Sequence, residues 1–308
     1  MNKIKLALWL FFLSMFGYST ATYSQNALLD PLLTKPSLVF YSLGDQGSAS
    51  KAQQAVAKAM ELEAERSGKP DFILLLGDNF YPDGVFSVDD PQWNEKFEDI
   101  YRGPLLRKTP FFAVLGNHDH RTNSQAQVEY SEQGRGSKRW QMPGRVFSVD
   151  LGQIDKEPLL RLVGLDTTAK ASFTKQASFI RQRFNSKNIK KPFWRLAAGH
   201  HPLFSVGPHG PTKSMHSQIL PAMHESKIDL YLAGHDHNLQ LISMPDAPYQ
   251  VVSGGGGKSL YDIKSHDIEV EFASVTYGFV KVALSMHDME ITFFNYLGQI
   301  LHKKIIKQ

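Results

Sequence analysis

The sequence predicts an α/β fold in which two β-sheets pack together as a sandwich flanked by helices. The first observation is that short apolar runs alternate with segments of helical periodicity between Ser37 and Ala233, an order typical of sheet-centred α/β domains. The second is that from Tyr249 onward strand-like segments follow one another with no helical segment between them. This order of elements predicts sheets in the centre and helices outside.

The predicted strands are short runs rich in apolar residues. They lie at residues 37–43, 71–76, 111–115, 161–165, 194–198, 230–233, 249–253, 269–274, 278–284 and 290–296. Helices are predicted where apolar residues recur at intervals of three or four. They lie at residues 52–66, 93–101, 173–184 and 214–226. Segment 122–145 is charged and contains Gly134, Gly136 and Gly144, so we expect it to be irregular and to run over the surface.

The composition is that of a globular protein, since 42% of the 308 residues are hydrophobic and 21% are charged. We expect one domain, residues 37–308, which is long enough to bury its own core. The chain has no cysteine, which excludes disulfides and thiolate metal ligands. The formal net charge of +4 is too small to indicate a nucleic-acid partner.

The N-terminus has the features of a secretory signal peptide. Two lysines precede an apolar run over residues 6–18, and small residues follow at 19–21. The run is short for a membrane span. We therefore expect residues 1–21 to be a signal peptide cleaved at about 21–25, and an exported protein, periplasmic or secreted, with no stable membrane association after cleavage. The alternative is a signal retained as an N-terminal anchor.

Five short strings combine glycine or proline with potential metal ligands, and each follows an apolar run. They are Gly44-Asp45-Gln46-Gly47, Gly77-Asp78-Asn79-Phe80-Tyr81, Gly116-Asn117-His118-Asp119-His120, Gly199-His200-His201-Pro202 and Gly234-His235-Asp236-His237. A buried strand that ends in a tight turn presents the following side chain at the edge of the sheet. In series, the strings collect carboxylate, amide, imidazole and phenol groups, which suit a pair of metal ions that activates water for hydrolysis.

The two aspartates of the first two strings have the same local context. Asp45 and Asp78 each follow a strand beside glycine, which lets the backbone turn sharply next to an ion. A carboxylate can bridge two cations, so one of the two is expected to be the bridge. We assign Asp78, because Tyr81 lies three residues further on and can reach the same ion. A phenolate is a hard anionic ligand, which points to Fe(III).

The other strings supply neutral ligands. Asn117 offers an amide oxygen, which suits a divalent ion, and His200, His235 and His237 offer imidazoles. On an extended segment the side chains of His235 and His237 lie on one face, so either each binds one ion or both bind the same ion. His118, next to Asn117, could point at a phosphate oxygen instead of a metal.

These strings resemble the motifs of the calcineurin-like metallophosphoesterases and, within them, the purple acid phosphatases of the small, tartrate-resistant type. The resemblance covers roughly residues 37–260 and extends to Leu165-Asp166-Thr167 and His209-Gly210-Pro211-Thr212. It implies a four-layer α/β/β/α sandwich of two mixed sheets. By position, the resemblance implies an Fe(III) ion bound by Asp45, Asp78, Tyr81 and His237. It implies a divalent ion (Fe, Zn or Mn) bound by Asp78, Asn117, His200 and His235. It also implies that the histidines His118 and His209 contact the phosphate and assist the leaving group.

Three positions set this chain apart from relatives. Position 47 is Gly where many relatives carry His in the first motif, and Tyr81 supplies a phenolate instead, as in the purple enzymes. Position 46 is Gln where an aromatic residue is common, and position 201 is His where the small purple enzymes often have Tyr. The changes at positions 46 and 201 are expected to alter contacts with the substrate.

The resemblance implies an acid phosphatase that hydrolyses phosphate monoesters, small molecules or phosphorylated peptides, by in-line attack of a metal-bound hydroxide at a dinuclear centre. The alternative is a metal-dependent phosphodiesterase or nucleotide pyrophosphatase on the same fold. A third interpretation, a non-enzymatic binding protein, predicts missing ligands, whereas all the ligand positions are filled. We expect a monomer.

Overall fold

The computed structural model describes residues 18–20, 27–264 and 268–308. The predicted signal peptide therefore lies outside the described residues, apart from Tyr18–Thr20, which form a short strand. In the described parts of the chain, no helix combines the length and the apolar character needed to cross a membrane.

The strands of the described residues form two mixed β-sheets. In chain order they are β1 (Tyr18–Thr20), β2 (Leu38–Leu43), β3 (Phe72–Leu75), β4 (Phe111–Ala113), β5 (Trp140–Gln141), β6 (Val146–Ile154), β7 (Glu157–Gly164), β8 (Trp194–Ala198), β9 (Leu230–Ala233), β10 (Leu239–Ile242), β11 (Tyr249–Ser253), β12 (Phe272–Ser274), β13 (Gly278–Leu284), β14 (Asp288–Asn295) and β15 (Ile300–Lys307). The eight-stranded sheet has the order β1-β6-β7-β8-β9-β11-β10-β12, and the seven-stranded sheet has the order β15-β14-β13-β2-β3-β4-β5. The α-helices in this part of the chain are α1 (Lys51–Ser67), α2 (Gln125–Glu132), α3 (Phe173–Asn185) and α4 (Ile219–Glu225).

The two sheets pack face to face, and helices cover their outer faces. Phe72 and Phe112 of the seven-stranded sheet share one buried apolar cluster with Leu160 and Leu196 of the eight-stranded sheet. Helix α1 packs on the outer face of the seven-stranded sheet, and α3 and α4 pack on that of the eight-stranded sheet. The predicted four-layer α/β/β/α sandwich is confirmed.

Both sheets contain parallel strands whose carboxyl ends meet at one edge of the molecule. Strands β2, β3 and β4 are parallel neighbours, and so are β7, β8 and β9. Backbone hydrogen bonds join the two sheets at these ends, including that from Gly44 N–H to Ser253 C=O at 2.7 Å. In open α/β sheets this edge is where ligands bind.

Helix α1 shows how local sequence sets the bounds of an element. Ser50 caps the N-terminus, because its side chain accepts the N–H of Gln53 at 3.2 Å and so satisfies a donor that the helix leaves free. Gly68 ends the helix at a φ of 98°, a conformation that glycine adopts without steric cost. The prediction of residues 52–66 is confirmed to within one residue at each end.

Two predictions about the middle of the chain differ from the structure. The helix predicted at residues 93–101 is present but shorter, since residues 92–98 are helical and Asn94–Glu98 among them form a π-helical turn. This turn contacts the predicted site, where Lys96 Nζ donates to the backbone carbonyl of Tyr81. The segment 122–145 is not a surface loop, since it contains α2 and β5. The ring of Tyr130 stacks on that of Trp93 with a centroid distance of 3.6 Å, so buried aromatic packing orders a segment that its glycines predicted to be irregular.

A partly buried carboxylate at the far end of the eight-stranded sheet makes stability depend on pH. Asp229 immediately precedes β9, and its Oδ2 accepts the backbone N–H of Arg195 at 2.8 Å. Burial raises the pKa of this carboxyl to about 6, against the lowering effect of that N–H and of the Arg195 charge.

We expect Asp229→Asn to stabilise the fold above about pH 5. The folded protein keeps a proton on Asp229 that the unfolded chain releases, so this group makes stability fall as pH rises from about 4 to 6. Asn keeps an acceptor for Arg195, and the free energy of unfolding of the variant relative to wild type should grow over that range by up to about 3 kcal/mol. Urea denaturation as a function of pH measures it, with the exposed Asp155→Asn as control. A difference that stays constant or shrinks with rising pH would contradict the assignment.

Candidate metal centre

The loops after five strands bring the predicted ligand side chains to one place. Asp45, Asp78 and Asn117 follow β2, β3 and β4 of one sheet, and His200 and His235 follow β8 and β9 of the other. Asp45 and His200 are fully buried, and Asp78 is 2% exposed. One ligand atom from each of these three residues lies within 4.8 Å of the others, so a metal ion can be held where the two sheets meet.

The phenol of Tyr81 lies at the centre of one group of donors. Its Oη is 3.0 Å from Asp45 Oδ1, 2.9 Å from Asp78 Oδ2 and 3.1 Å from His237 Nε2. A single phenol proton cannot satisfy three acceptors at once. A cation among these four side chains satisfies all of them, so the donor set fits a hard metal ion.

A second group of donors surrounds the imidazole of His200. Its Nε2 is 3.0 Å from Asn117 Oδ1, 3.2 Å from His235 Nδ1 and 3.5 Å from Asp78 Oδ2. Asp78 Oδ2 is therefore close to members of both groups, which is the position that a carboxylate bridging two ions requires.

Backbone carbonyls orient two of the imidazoles. His200 Nδ1 lies 2.9 Å from the carbonyl oxygen of Leu76, and His237 Nδ1 lies 2.6 Å from that of Ser259. Each of these nitrogens donates its proton to a carbonyl, so the lone pair of Nε2 points into the cluster. This arrangement is usual for metal-binding histidines, whose second nitrogen is held by a hydrogen bond.

The backbone is strained at three of the predicted ligands. Asp45, Asp78 and His235 have φ values of 60°, 53° and 71°, in the left-handed region that residues other than glycine rarely adopt. The neighbouring glycines are also required, because a Cβ on Gly47 would lie 1.9 Å from the carbonyl oxygen of Asn79. Strain of this kind persists where the surrounding structure enforces it and is concentrated at functional sites.

Electrostatics at the site favours a bound cation. Burial raises the pKa of Tyr81 far above its usual value, and the charges of Asp45 and Asp78 raise it further. Burial disfavours the charge on Asp45, yet the His237 and His200 imidazoles and the backbone N–H of His235 together lower the pKa of that carboxyl. Burial likewise disfavours the charged form of His237, but Asp45 raises its pKa. Ionising the phenol therefore requires a strong positive charge nearby, which a metal ion supplies.

A buried carboxylate for which the sequence predicted no role joins two ligand loops. Asp119 is fully buried and accepts the backbone N–H groups of Asn79, Phe80 and Gly116 at 2.8–3.2 Å. Burial and the nearby charge of Asp78 raise the pKa of Asp119 to about 6. Asp119 thus links the loops that carry Asp78 and Asn117, alongside the hydrogen bond from His118 N–H to Asp78 Oδ1 at 2.8 Å.

The two histidines predicted to act on the substrate border this cluster. His118 Nδ1 lies 2.5 Å from the carbonyl oxygen of Pro82, and its Nε2 lies 3.9 Å from Asp78 Oδ2. The His209 side chain is 42% exposed, and its ring centroid lies 4.2 Å from that of His235.

Asp236 orients His209, a role that sequence reasoning missed although Asp236 lies inside the last motif. The carboxylate is fully buried, and its Oδ1 is 2.8 Å from His209 Nδ1. Since Nδ1 donates to this carboxylate, Nε2 of His209 is free to face a substrate. The signal in the sequence was the position of Asp236 between His235 and His237. Its partner His209 lies 27 residues away in the chain, so the pairing could not be read from the motif.

Comparisons with known proteins agree with this geometry. The profile of the calcineurin-like phosphoesterases matches residues 43–239. The chain is 32% identical over 299 residues to tartrate-resistant acid phosphatase type 5 of Sus scrofa, covering 87% of this chain and 86% of that protein. It is 31% identical over 299 residues to purple acid phosphatase 17 of Arabidopsis thaliana, covering 89% and 86%. Among solved structures it is similar to GAP50, the anchor in the inner membrane complex of Plasmodium, with a TM-score of 0.74, 25% identity and 89% of each chain covered.

The family profile and the aligned relatives extend over nearly all of the strands and turns that carry the clustered side chains. The chain therefore belongs to the calcineurin-like phosphoesterases and, within them, to the purple acid phosphatases. Membership in this family, together with the cluster of Asp45, Asp78 and His200, supports a dinuclear metal centre.

Proposed function

We propose that the protein is an acid phosphatase that hydrolyses phosphate monoesters at a centre of two metal ions, an Fe(III) ion and a divalent ion of Fe, Zn or Mn. The observation that carries the proposal is the convergence of two buried carboxylates, a phenol and three imidazoles from both sheets on one point. The substrates are small phosphate esters or phosphorylated peptides.

The two groups of donors support the proposed division of ligands between the ions. The Fe(III) ion would be held by the group around the phenol, which is Asp45, Asp78, Tyr81 and His237. The divalent ion would be held by the group around His200, which is Asp78, Asn117, His200 and His235. When bound, the two cations would offset the negative charge of the phosphate and act as Lewis acids. They would lower the pKa of water enough to provide a nucleophile at acid pH.

The remaining residues bind the substrate and move a proton. His118 is held by the Pro82 carbonyl through Nδ1, and its Nε2, which lies 3.3 Å from Arg121 Nη2, is the nitrogen that would contact a phosphate oxygen. His209 is held by Asp236 through Nδ1, so that Nε2 can donate a proton to the leaving oxygen. General acid catalysis of this kind contributes roughly 10²–10⁴-fold.

Location and assembly are part of the proposal. We propose that residues 1–21 act as a signal peptide, that the protein is exported to the periplasm or secreted, and that residues 37–308 form one domain. We also propose that the mature protein is a monomer that has no nucleic-acid partner and no stable association with a membrane.

Metal analysis of the purified protein tests the proposal. We expect two metal ions per chain, at least one of them iron, and hydrolysis of p-nitrophenyl phosphate at acid pH that a chelator abolishes. Full activity after both ions have been removed would refute it. Two bound ions with no activity on any phosphate ester would instead support the non-enzymatic interpretation.

We expect the Tyr81→Phe variant to lose the visible absorption band of the iron-loaded protein. A phenolate bound to Fe(III) gives a visible charge-transfer band, and the substitution removes only the Oη that lies among Asp45, Asp78 and His237. The visible spectrum of iron-loaded protein measures it. Tyr261→Phe is the matched control, because this ring stacks on His237 at a centroid distance of 4.0 Å but is not a proposed ligand. A colourless wild type, or a Tyr81→Phe variant that keeps its colour, would contradict the assignment.

A further inference from the structure

Two histidines beside the proposed centre have no role so far, and adjacent residues of one turn hold them. His120 Nε2 lies 2.9 Å from Asp166 Oδ1, and His201 Nδ1 lies 2.9 Å from Thr167 Oγ1. The turn with Asp166 and Thr167 follows β7 in the eight-stranded sheet, whereas His120 lies in the loop that follows β4 in the seven-stranded sheet. Asp166 and Thr167 therefore fix one imidazole from each side of the sandwich.

The hydroxyl of Thr167 determines which nitrogen of His201 carries the proton. Its Oγ1 accepts the backbone N–H of His200 at 3.2 Å and that of His201 at 2.9 Å. A hydroxyl has two lone pairs and one proton. Because both lone pairs are used, the proton is donated to His201 Nδ1, and His201 Nε2 is left as an N–H donor.

The carboxylate of Asp166 holds His120 by the opposite arrangement, because Oδ1 accepts the proton of His120 Nε2. Asp166 is 2% exposed, and its Oδ1 also accepts the N–H of Ala169 at 3.3 Å. The fully buried Gln176 pairs its side-chain amide with the backbone N–H and C=O of Asp166 at 3.1 and 2.8 Å. The turn is thus rigid, and Nδ1 of His120 is the nitrogen that remains for a ligand.

The His201 imidazole lies against two of the proposed ligands, and His120 is linked to it through the adjacent residues Asp166 and Thr167. The His201 ring centroid is 5.0 Å from that of His200 and 4.4 Å from that of His235. His120 lies on the short turn Asp119–Arg121, two residues after His118. Both histidines are partly exposed, and neither is among the proposed ligands, so both can contact the part of a substrate that extends beyond the phosphate.

Resting on the proposed phosphatase function, we propose that His120 and His201 form a subsite that binds a hydroxyl group on the alcohol part of the substrate. A hydroxyl both accepts and donates, so it accepts from His201 Nε2–H and pairs with His120 Nδ1. An alkyl or aryl group there leaves these partly buried nitrogens unpaired, which a site built for hydrogen bonds penalises. The preferred substrates are phosphate esters of polyols and sugars.

A matched pair of esters tests the subsite. Glycerol 1-phosphate and propyl phosphate share the phosphate and the three-carbon chain and differ in the hydroxyls. We expect wild type to prefer glycerol 1-phosphate by about tenfold in kcat/KM. The ratio of the two values is informative even if a variant loses some metal, because both esters use the same centre.

The variants distinguish a loss of the hydroxyl preference, seen as a change in the ratio, from a general loss of activity on both esters. His201→Phe and His120→Phe should each bring the ratio close to one, and Thr167→Val should lower it, whereas Thr167→Ser, which keeps the hydroxyl, should preserve it. Thr168→Val is the matched control, because its hydroxyl is buried and has no hydrogen-bond partner among the described residues.

One set of results would refute the subsite alone, and a different result would refute the proposed phosphatase function. A ratio near one in wild type, or a ratio unchanged in His201→Phe, would refute the hydroxyl subsite and leave the phosphatase function intact. A wild type that hydrolyses neither ester and no p-nitrophenyl phosphate would refute the proposed function itself, and the subsite with it.

Discussion

Replacing Asp78 by Asn is expected to remove both metal ions and to lower kcat/KM by at least roughly 10³-fold, because metal-supplied stabilisation of the transition state is worth several kcal/mol. Asp78 Oδ2 is the carboxylate oxygen close to both groups of donors, at 2.9 Å from Tyr81 Oη and 3.5 Å from His200 Nε2. Asn tolerates the left-handed backbone of this position, so the change removes the charge and leaves the turn in place.

Metal content after dialysis tests this prediction. Two further variants show whether the loss of both ions is specific to Asp78. Asn117→Ala should chiefly weaken the divalent ion, because Asn117 lies only in the group around His200. Asp83→Asn, an exposed carboxylate that pairs with Arg121, should keep both ions. If Asp78→Asn retains both ions as well as wild type does, the bridging role is wrong.

Replacing His209 by Ala is expected to slow the hydrolysis of alkyl phosphates by roughly 10²-fold or more while affecting p-nitrophenyl phosphate far less. An alcohol of high pKa needs a proton in order to leave, whereas nitrophenolate leaves almost unaided. The buried Asp236 holds Nδ1 of His209, which leaves Nε2 to supply that proton.

Rates on the two esters and metal content decide among the interpretations of His209. His224→Ala, an exposed histidine at the end of α4, should change neither rate. Equal losses on both substrates would make His209 a residue that positions the phosphate. Loss of a metal ion from His209→Ala would show that its assignment outside the ligand set is wrong.

The strand ends and turns of the five strings could be predicted from the sequence, because each is a local event. An apolar run followed by Gly and a ligand, as at Gly77-Asp78, specifies a strand end and a turn without reference to the rest of the chain. The structure then places those turns at one edge, since the parallel strands share a direction. The fold class followed from the same alternation of elements.

The contacts between turns could not be predicted, because they join distant segments. Asp166 and His120 are 46 residues apart, and Asp236 and His209 are 27 apart, and a single sequence carries no record of such pairing. Strands β5, β6, β10 and β15 were also missed. Along β15 lysines interrupt the apolar residues and Ile300 and Ile305 are exposed, so the segment lacks the continuous apolar run that marked the buried strands.

The ratio of activity on p-nitrophenyl phosphate to that on bis(p-nitrophenyl) phosphate, measured at acid pH with the metal-loaded protein, tests the central claim most directly. The two compounds release the same leaving group and differ in whether the phosphate is a monoester or a diester. We predict that the monoester is preferred by more than about tenfold in kcat/KM. A preference for the bis-ester would contradict the account and establish the phosphodiesterase alternative.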